Sequence, residues 1–246
     1  MDLLRFRTET EWVQAARTAF LEAAAAAAAR GSSALRLCLA GGRTPETVYR
    51  ALAQSPLRDI RVQLWLGDER DVPPGSPDRN GNLILRAFEN PVWNPEPEFL
   101  LWPADPADAA CRLIEARLAA LEEPFFDLSF LGIGEDGHTA GIFPGGPEAE
   151  ETSRLAVPSR APAEPRARMT LTPRALASTR GLCFLLRGPA KLGLAERIGK
   201  IPVPGASDQS QPLLGEGGGR EPVPAELVAR RVRASGASVA LLYCET

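Results

Sequence analysis

The segment ALRLCLAGGRTP, residues 34–45, decides how the rest of the chain is interpreted. Residues 34–40 form a short and nearly continuous apolar run, which is typical of a strand buried on both faces of a sheet. Gly41 and Gly42 follow, and then Thr44 offers a capping hydroxyl and Pro45 a ring suited to the first turn of a helix. The segment therefore predicts a strand, a glycine turn and a helix, the unit from which parallel sheets are built.

Similar apolar runs recur along the chain, separated by stretches of helix-forming residues. The predicted strands cover residues 34–40, 60–70, 125–134, 181–188 and 238–244, and the predicted helices cover residues 9–30, 107–121, 190–198 and 225–234. Stretches rich in proline or glycine, which predict loops, cover residues 91–106, 158–165 and 215–224. The alternation predicts an α/β fold with a mostly parallel sheet covered by helices on both faces, built as a single domain over residues 1–246.

Composition narrows the classes of partner. The 28 Lys and Arg residues against 31 Asp and Glu residues give a formal charge of -3, so no basic field attracts nucleic acid or an anionic membrane surface. Four well-separated cysteines without a C-x-x-C pair predict a reduced, cytoplasmic protein. The longest apolar tract, residues 21–29, is too short to span a bilayer, and the first residues lack a basic leader. We therefore expect a small-molecule partner and no membrane.

Polar clusters follow several predicted strands, at the edge where ligands bind in parallel sheets. The first is the turn made by Gly41, Gly42, Arg43 and Thr44. Glycine backbone N–H groups and the start of a helix together form a cradle for phosphate. An ordinary tight turn with a threonine cap is the alternative interpretation.

The second cluster begins at Asp68 and Arg70, which leave an apolar strand together. The carboxylate could orient a hydroxyl or a water, while the guanidinium could hold an anion or a developing oxyanion. A solvated loop with no role in binding remains the alternative for this cluster alone.

The third cluster, FLGIGEDGHTAGIFPGG at residues 130–146, contains His138, the only histidine of the chain. An imidazole exposed by a glycine-rich loop is a candidate general base near neutral pH. Glu135 and Asp136 lack a second imidazole or a thiolate nearby, which argues against a metal site. Pro144 lies where a dinucleotide-binding helix would begin, which argues against that site as well.

The fourth feature is basic. Arg154, Arg160, Arg166 and Arg168 precede the segment MTLTP, and Lys191 lies near the start of a predicted helix. A cation is disfavoured at that end of a helix unless it serves another charge, and a bound phosphate would provide one.

The motifs AGGRTP, GDERDVPPGSPDRN, FDLSFLGIGEDGHTAGIFPG and MTLTP, in this order, closely resemble the 6-phosphogluconolactonase family. The resemblance implies a three-layer αβα fold with a Rossmann-like sheet, shared with glucosamine-6-phosphate deaminases. It implies hydrolysis of 6-phospho-D-glucono-1,5-lactone to 6-phosphogluconate in the pentose phosphate pathway. It also implies that no metal and no nucleotide cofactor takes part.

Carried over by position, the resemblance implies that His138 is the base that activates water, with Asp136 and Asp68 as polar site residues. It implies an anion contact for Arg70, and a phosphate-binding group of Gly41, Gly42, Arg43, Thr44 and Lys191, with Arg160 and Arg168 as further candidates. Two departures stand out. The family often has serine at Arg43, and it has a Pro-Lys-Pro segment where this chain reads SRAPAEPRARMTLT without a lysine, so Arg160 or Arg166 is expected to replace that cation.

Two other functions stay open at this point. A glucosamine-6-phosphate deaminase would have an acidic residue five positions after the histidine, where this chain has Phe143. A non-catalytic phosphosugar-binding module would need no base, and His138 argues against it. A monomer is favoured, although the sequence leaves the oligomeric state open.

Overall fold

The computed structural model describes residues 2–57, 59–201 and 221–246. The strands within these ranges are β1 (Asp2–Phe6), β2 (Ala34–Leu39), β3 (Arg61–Leu66), β4 (Asp68–Arg70), β5 (Glu98–Leu100), β6 (Leu128–Gly132), β7 (Ala156–Arg160), β8 (Ala167–Leu171), β9 (Gly181–Arg187) and β10 (Ser238–Cys244). The α-helices are α1 (Glu9–Ala29), α2 (Glu46–Ala53), α3 (Asn80–Ala87), α4 (Ala107–Ala119), α5 (Pro173–Ala177), α6 (Leu192–Gly199) and α7 (Pro224–Ala234).

The main sheet has seven strands in the order β1-β10-β9-β6-β2-β3-β5, and every neighbouring pair is parallel. Its central strands are almost wholly buried, which agrees with their continuous apolar sequences. Helices α1, α2 and α3 pack in succession on one another, and α7 packs on both α5 and α6. The predicted α/β fold with a mostly parallel sheet flanked by helices is confirmed.

A second, antiparallel sheet has the order β4-β8-β7. The sequence predicts a strand that runs into a polar tip over residues 60–70. The strand is present as β3, but the polar tip forms a separate strand, because the chain leaves the main sheet at Gly67 and enters the small sheet at Asp68. The backbone of Gly67 joins the two sheets, since its N–H donates to Leu39 O at 2.9 Å and its carbonyl accepts from Leu171 N–H at 2.8 Å.

Three further predictions fail for identifiable reasons. Residues 158–165 are not all loop, because β7 extends through Pro158, which an edge strand tolerates. Residues 91–106 contain β5, a short edge strand of the main sheet. Thr44 does not cap α2, whose N-cap position is Pro45 without a side-chain hydrogen bond.

The apolar side chains of the main sheet and its helices form one contiguous buried cluster, which also includes Met169 and Leu171 of β8. All four cysteines are buried and unpaired, as expected for packed thiols. No helix in the described ranges is long and apolar enough to cross a membrane. Residues 215–220 of the predicted loop at residues 215–224 lie outside the described residues. A single domain over residues 1–246 stays a prediction.

Candidate active site

The candidate site lies at the carboxyl ends of four adjacent strands, β9, β6, β2 and β3. The glycine turn follows β2, Asp68 follows β3, the His138 loop follows β6 and Lys191 follows β9. Because the strands are parallel neighbours, their ends share one edge of the sheet, and clusters that are distant in sequence come together there.

The imidazole of His138 is held by Asp136. Nδ1 lies 2.6 Å from Asp136 Oδ1, and the backbone N–H of His138 donates to the same oxygen at 3.0 Å. A carboxylate at Nδ1 favours the tautomer that carries its proton there, which leaves Nε2 with the free electron pair. Partial burial alone would raise the pKa of Asp136, but the backbone N–H and imidazole of His138 together hold it below its ordinary value.

The backbone of this loop fits around the imidazole. A Cβ on Gly134 would lie 2.1 Å from His138 Nδ1, so a larger residue here would displace the imidazole. Gly137 has a φ of +89°, and a Cβ there would lie 2.5 Å from Cβ of Val223. The resulting loop presents the ring with about a third of its side-chain surface exposed.

The other side of the imidazole packs against Phe143, with the ring centroids 4.9 Å apart. The backbone N–H of Phe143 donates to Oε1 of Glu148 at 3.0 Å, and the Glu148 side chain is buried. Glu148 therefore holds Phe143 in place, and Phe143 in turn limits the movement of the imidazole. The sequence analysis did not predict this role of Glu148.

The small sheet places three predicted site residues on one face. Arg70 lies opposite Arg168, and Asp68 lies opposite Thr170. Residues two positions apart on a strand share a face, so Asp68, Arg70 and Arg168 form one polar cluster. Ser159, which lies opposite Arg168 on β7, joins them, and its buried hydroxyl has no hydrogen-bond partner within the described ranges.

The cluster combines burial with opposite charges. Burial raises the pKa of Asp68, while Arg70, Arg168 and His138 draw it back toward the ordinary value. Burial also lowers the pKa of Arg168, helped by its like-charged neighbour Arg70. Nη1 of Arg70 donates to Asp78 O at 2.7 Å, but its buried Nε has no partner among the described residues. The cluster thus retains donor capacity for an anion or an oxyanion.

The loop after β4 is anchored by Glu69, whose side chain points to the opposite face from Asp68. It accepts the N–H groups of Asn80 at 2.6 Å and Gly81 at 2.7 Å, and so caps helix α3. The side-chain amide of Asn80 then donates to Asp68 O at 3.1 Å. The sequence analysis did not predict this connection, because a cap supplied by a residue eleven positions earlier has no local signature.

The glycine turn packs closely on that loop. A Cβ on Gly41 would lie 2.0 Å from the side chain of Asn80, and Gly42 has a φ of +88°. Both positions therefore favour glycine. Thr44 is half-buried with its hydroxyl unused by the helix, and Arg43 is exposed. The turn is open to a ligand at the same sheet edge as the Asp68 cluster.

Lys191 is half-buried at the junction between a 3₁₀ turn and α6. Burial lowers the pKa of its ammonium group, and the charge of Glu135 partly offsets the effect. Glu135 belongs to the His138 loop, so the charge of that loop acts on Lys191.

The remaining arginines are not brought to the cluster. Arg160 is exposed and follows Ser159, so its side chain extends from the opposite face of β7. Arg154 forms an ion pair with Glu115 at 2.8 Å, and Arg166 forms one with Glu164 at 3.0 Å. In the part of the chain that the structure describes, no group of three acidic, histidine or cysteine side chains is placed to hold a metal ion.

The Rossmann-like sheet carries at one edge an imidazole–carboxylate pair, a buried and a half-buried arginine and a glycine turn, an arrangement suited to acid–base chemistry on a small anion. Comparison with known families is more specific: residues 7–230 match the family described as glucosamine-6-phosphate isomerases/6-phosphogluconolactonase. The chain belongs to this family.

The relatives agree. A 6-phosphogluconolactonase of Synechocystis sp. is 34% identical over 185 residues, covering 72% of this chain and 75% of the relative. A 6-phosphogluconolactonase from Pseudomonas putida is 34% identical over 174 residues, covering 68% of this chain and 70% of the relative. The solved structure of a 6-phosphogluconolactonase from Shewanella baltica has a TM-score of 0.77 at 22% identity and covers 100% of this chain and 98% of its own. The 6-phosphogluconolactonase from Trypanosoma brucei has a TM-score of 0.76 at 24% identity and covers 99% of this chain and 95% of its own. The two solved structures confirm the fold, and the sequence matches confirm the predicted family.

Proposed function

We propose that this chain hydrolyses 6-phospho-D-glucono-1,5-lactone to 6-phospho-D-gluconate, the reaction of the pentose phosphate pathway implied by its family. The observation that carries the proposal is the His138–Asp136 pair, held at the same sheet edge as a buried carboxylate and two buried or half-buried guanidinium groups. The names of its relatives support the same reaction.

The reaction begins when a water molecule attacks C1 of the lactone. Nε2 of His138 accepts the proton of that water, while Asp136 stabilises the imidazolium through Nδ1. The carbonyl oxygen becomes an oxyanion, and we assign its stabilisation to the guanidinium group of Arg70. The bond between C1 and the ring oxygen then breaks, and the ring oxygen takes the proton from Nε2 to become the C5 hydroxyl. The new carboxylic acid ionises in water.

The phosphate end needs a separate grip that orients the lactone. We assign it to Gly41, Gly42, Arg43 and Thr44 together with Lys191, with Arg168 supporting Arg70 from the facing strand. Arg160 is the weakest member of the predicted set, because it lies on the other face of β7. No metal is required by this scheme, since the lactone is activated enough for general-base catalysis and positioning to suffice.

The deaminase alternative is disfavoured by Phe143. The position that would carry an acidic residue holds an apolar ring packed against the imidazole. The nearest carboxylate beyond it, Glu148, is buried and accepts the Phe143 N–H. That arrangement leaves no acidic group there to assist ring opening of an amino sugar.

We also propose that the chain acts as a monomer in the cytoplasm. The four buried thiols suit a reducing compartment. Light scattering during size-exclusion chromatography would test the first point, and a mass corresponding to two or more chains would contradict it.

The test of the reaction uses freshly generated 6-phosphogluconolactone, with spontaneous hydrolysis measured in parallel and EDTA present. We expect accelerated loss of lactone that resists the chelator and that falls about 10²- to 10⁴-fold in kcat in His138→Asn. Lactone loss at the spontaneous rate, with glucosamine 6-phosphate converted instead, would establish the deaminase. Binding of the phosphosugar without turnover of either substrate would establish the non-catalytic module.

A further inference from the structure

A cleft lined by three arginines lies at the opposite edge of the main sheet. It has a volume of about 730 Å³ and is bordered by the residues that precede three strands: Pro124 before β6, Arg180 before β9 and Ala237 before β10. Arg174 of α5 and Arg231 of α7 complete its basic side. A cleft of this size is large enough for a small metabolite.

This cleft is separated from the candidate active site by the length of the sheet. Strand β9 begins next to the cleft, after Arg180, and ends just before Lys191. Seven residues of extended chain span about 20 Å. A ligand in this cleft therefore touches neither His138 nor the glycine turn, and its binding is independent of the proposed function.

Positive charge in the cleft exceeds negative charge. Among the described residues, three arginines line it and Glu123 is the one acidic residue. Nη2 of Arg174 lies 3.6 Å from Glu123, with both side chains about half exposed, so that pair is weak. Nε of Arg180 lies 3.6 Å from Oδ1 of Asp127, but the same oxygen already accepts a hydrogen bond from Arg30.

Arg231 is the least compensated of the three. It is half-buried, and it forms no ion pair and no side-chain hydrogen bond with any residue in the described ranges. Burial lowers the pKa of its guanidinium group. A cation removed from water without a partner is costly. An anion in the cleft would relieve this cost.

We propose that this cleft is a second binding site, which takes the phosphate group of a small phosphorylated molecule between Arg231, Arg180 and Arg174. A phosphate dianion matches the excess of two positive charges in the cleft, and guanidinium groups bind phosphate oxygens in a bidentate manner. The volume exceeds that of a phosphate alone, so the rest of the molecule fits beside Thr152 and Ala177.

The test is a titration of the isotopically labelled protein followed by NMR, at constant ionic strength so that screening does not change. Backbone amides of Thr179 and Gly236 report on the cleft, while those of Gly137 and Thr139 report on the candidate active site. The probes are inorganic phosphate and glycerol 3-phosphate. The two sets of amides separate the two sites within one experiment, so a failure of the proposed function leaves the cleft signals interpretable.

Arg231→Gln and its neighbour Arg230→Gln form a matched pair, because each removes one positive charge from α7 while only Arg231 lines the cleft. We expect saturable shifts at Thr179 and Gly236, weakened at least about tenfold by Arg231→Gln and less than about twofold by Arg230→Gln. Arg174→Gln provides a second test if Arg231→Gln does not fold.

Equal weakening by Arg231→Gln and Arg230→Gln would show general attraction by surface charge and would overturn the proposal, as would the absence of saturable shifts at the cleft. Tighter binding of glycerol 3-phosphate than of phosphate would identify an organic ester as the ligand type. Equal binding of the two probes would identify the phosphate ion itself. Either of these last two results supports the site.

Discussion

Replacing Asp136 by asparagine tests how the imidazole of His138 is prepared for catalysis. The Asp136 carboxylate lies 2.6 Å from Nδ1 of His138 and accepts the backbone N–H of His138 at 3.0 Å. Asparagine keeps the shape, but its amide removes the negative charge and can turn an N–H toward Nδ1. The proton then moves to Nε2, and the nitrogen that should receive the proton of water is blocked.

The size of the effect follows from the hydrogen bond that is lost. A hydrogen bond to a charged group contributes about 1.5–3 kcal/mol. Both side chains are more than a third exposed, so screening by water favours the lower part of that range. At about 1.4 kcal/mol for each factor of ten, we expect Asp136→Asn to lower kcat about 10- to 30-fold, with little change in KM.

The decisive measurement is a double-mutant cycle. If Asp136 acts only through His138, the double variant Asp136→Asn with His138→Asn should be no slower than His138→Asn alone. Rates are measured on fresh lactone after subtraction of spontaneous hydrolysis, and circular dichroism checks that each variant folds. Losses that multiply in the double variant would refute the pairing and would mean that Asp136 touches the reacting atoms itself.

Three further predictions concern the phosphate end, the glycine turn and acid stability. Lys191→Ala should raise KM for the phosphorylated lactone at least about tenfold and leave unphosphorylated gluconolactone within about twofold, since only the former needs the cation; equal losses on both would contradict the assignment. Gly41→Ala should lower the free energy of unfolding by about 1–3 kcal/mol, measured by denaturant titration, and reduce kcat/KM, because its Cβ would overlap Asn80; a fully active, stable variant would show that the loop yields. Partial burial alone would raise the pKa of Glu115, but hydrogen bonds from Arg154 and two backbone N–H groups hold it below its ordinary value. The stabilising effect of the ionised Glu115 carboxylate is therefore complete above about pH 4.3 and is lost as the pH falls through the lowered pKa. The difference in Tm between the wild type and Glu115→Gln should therefore shrink in acid, and a constant difference would contradict this.

The part of the site that the sequence predicts is the part built from local signals. The apolar run before Gly41 predicts a buried strand, and the glycines before His138 predict an exposed loop. Parallel pairing of β2 with both β3 and β6 then brings these strand ends together without further information. The general rule for parallel sheets was therefore enough to locate the site.

The remainder depends on contacts between distant residues. Asp68 and Arg70 belong to a separate sheet because β4 pairs with β8, about a hundred positions later in the chain. Neither strand carries a sequence pattern that specifies the other. For the same reason the sequence did not predict that Glu69 caps α3. Arg160 was included among the predicted site residues, although strand alternation turns it away from the cluster.

The short pairing between β4 and β8 also affects how the protein should fail under stress. Three residue pairs hold Asp68 and Arg70 against the neighbouring strand, whereas the parallel sheet is held by many more. Elements with few contacts open at lower cost than the whole fold. Moderate heat or denaturant is therefore expected to open the contact between β4 and β8 first, because β8 is also held by five pairs with β7 and by the main core. Catalysis would then be lost while most of the far-ultraviolet signal of the native state remained.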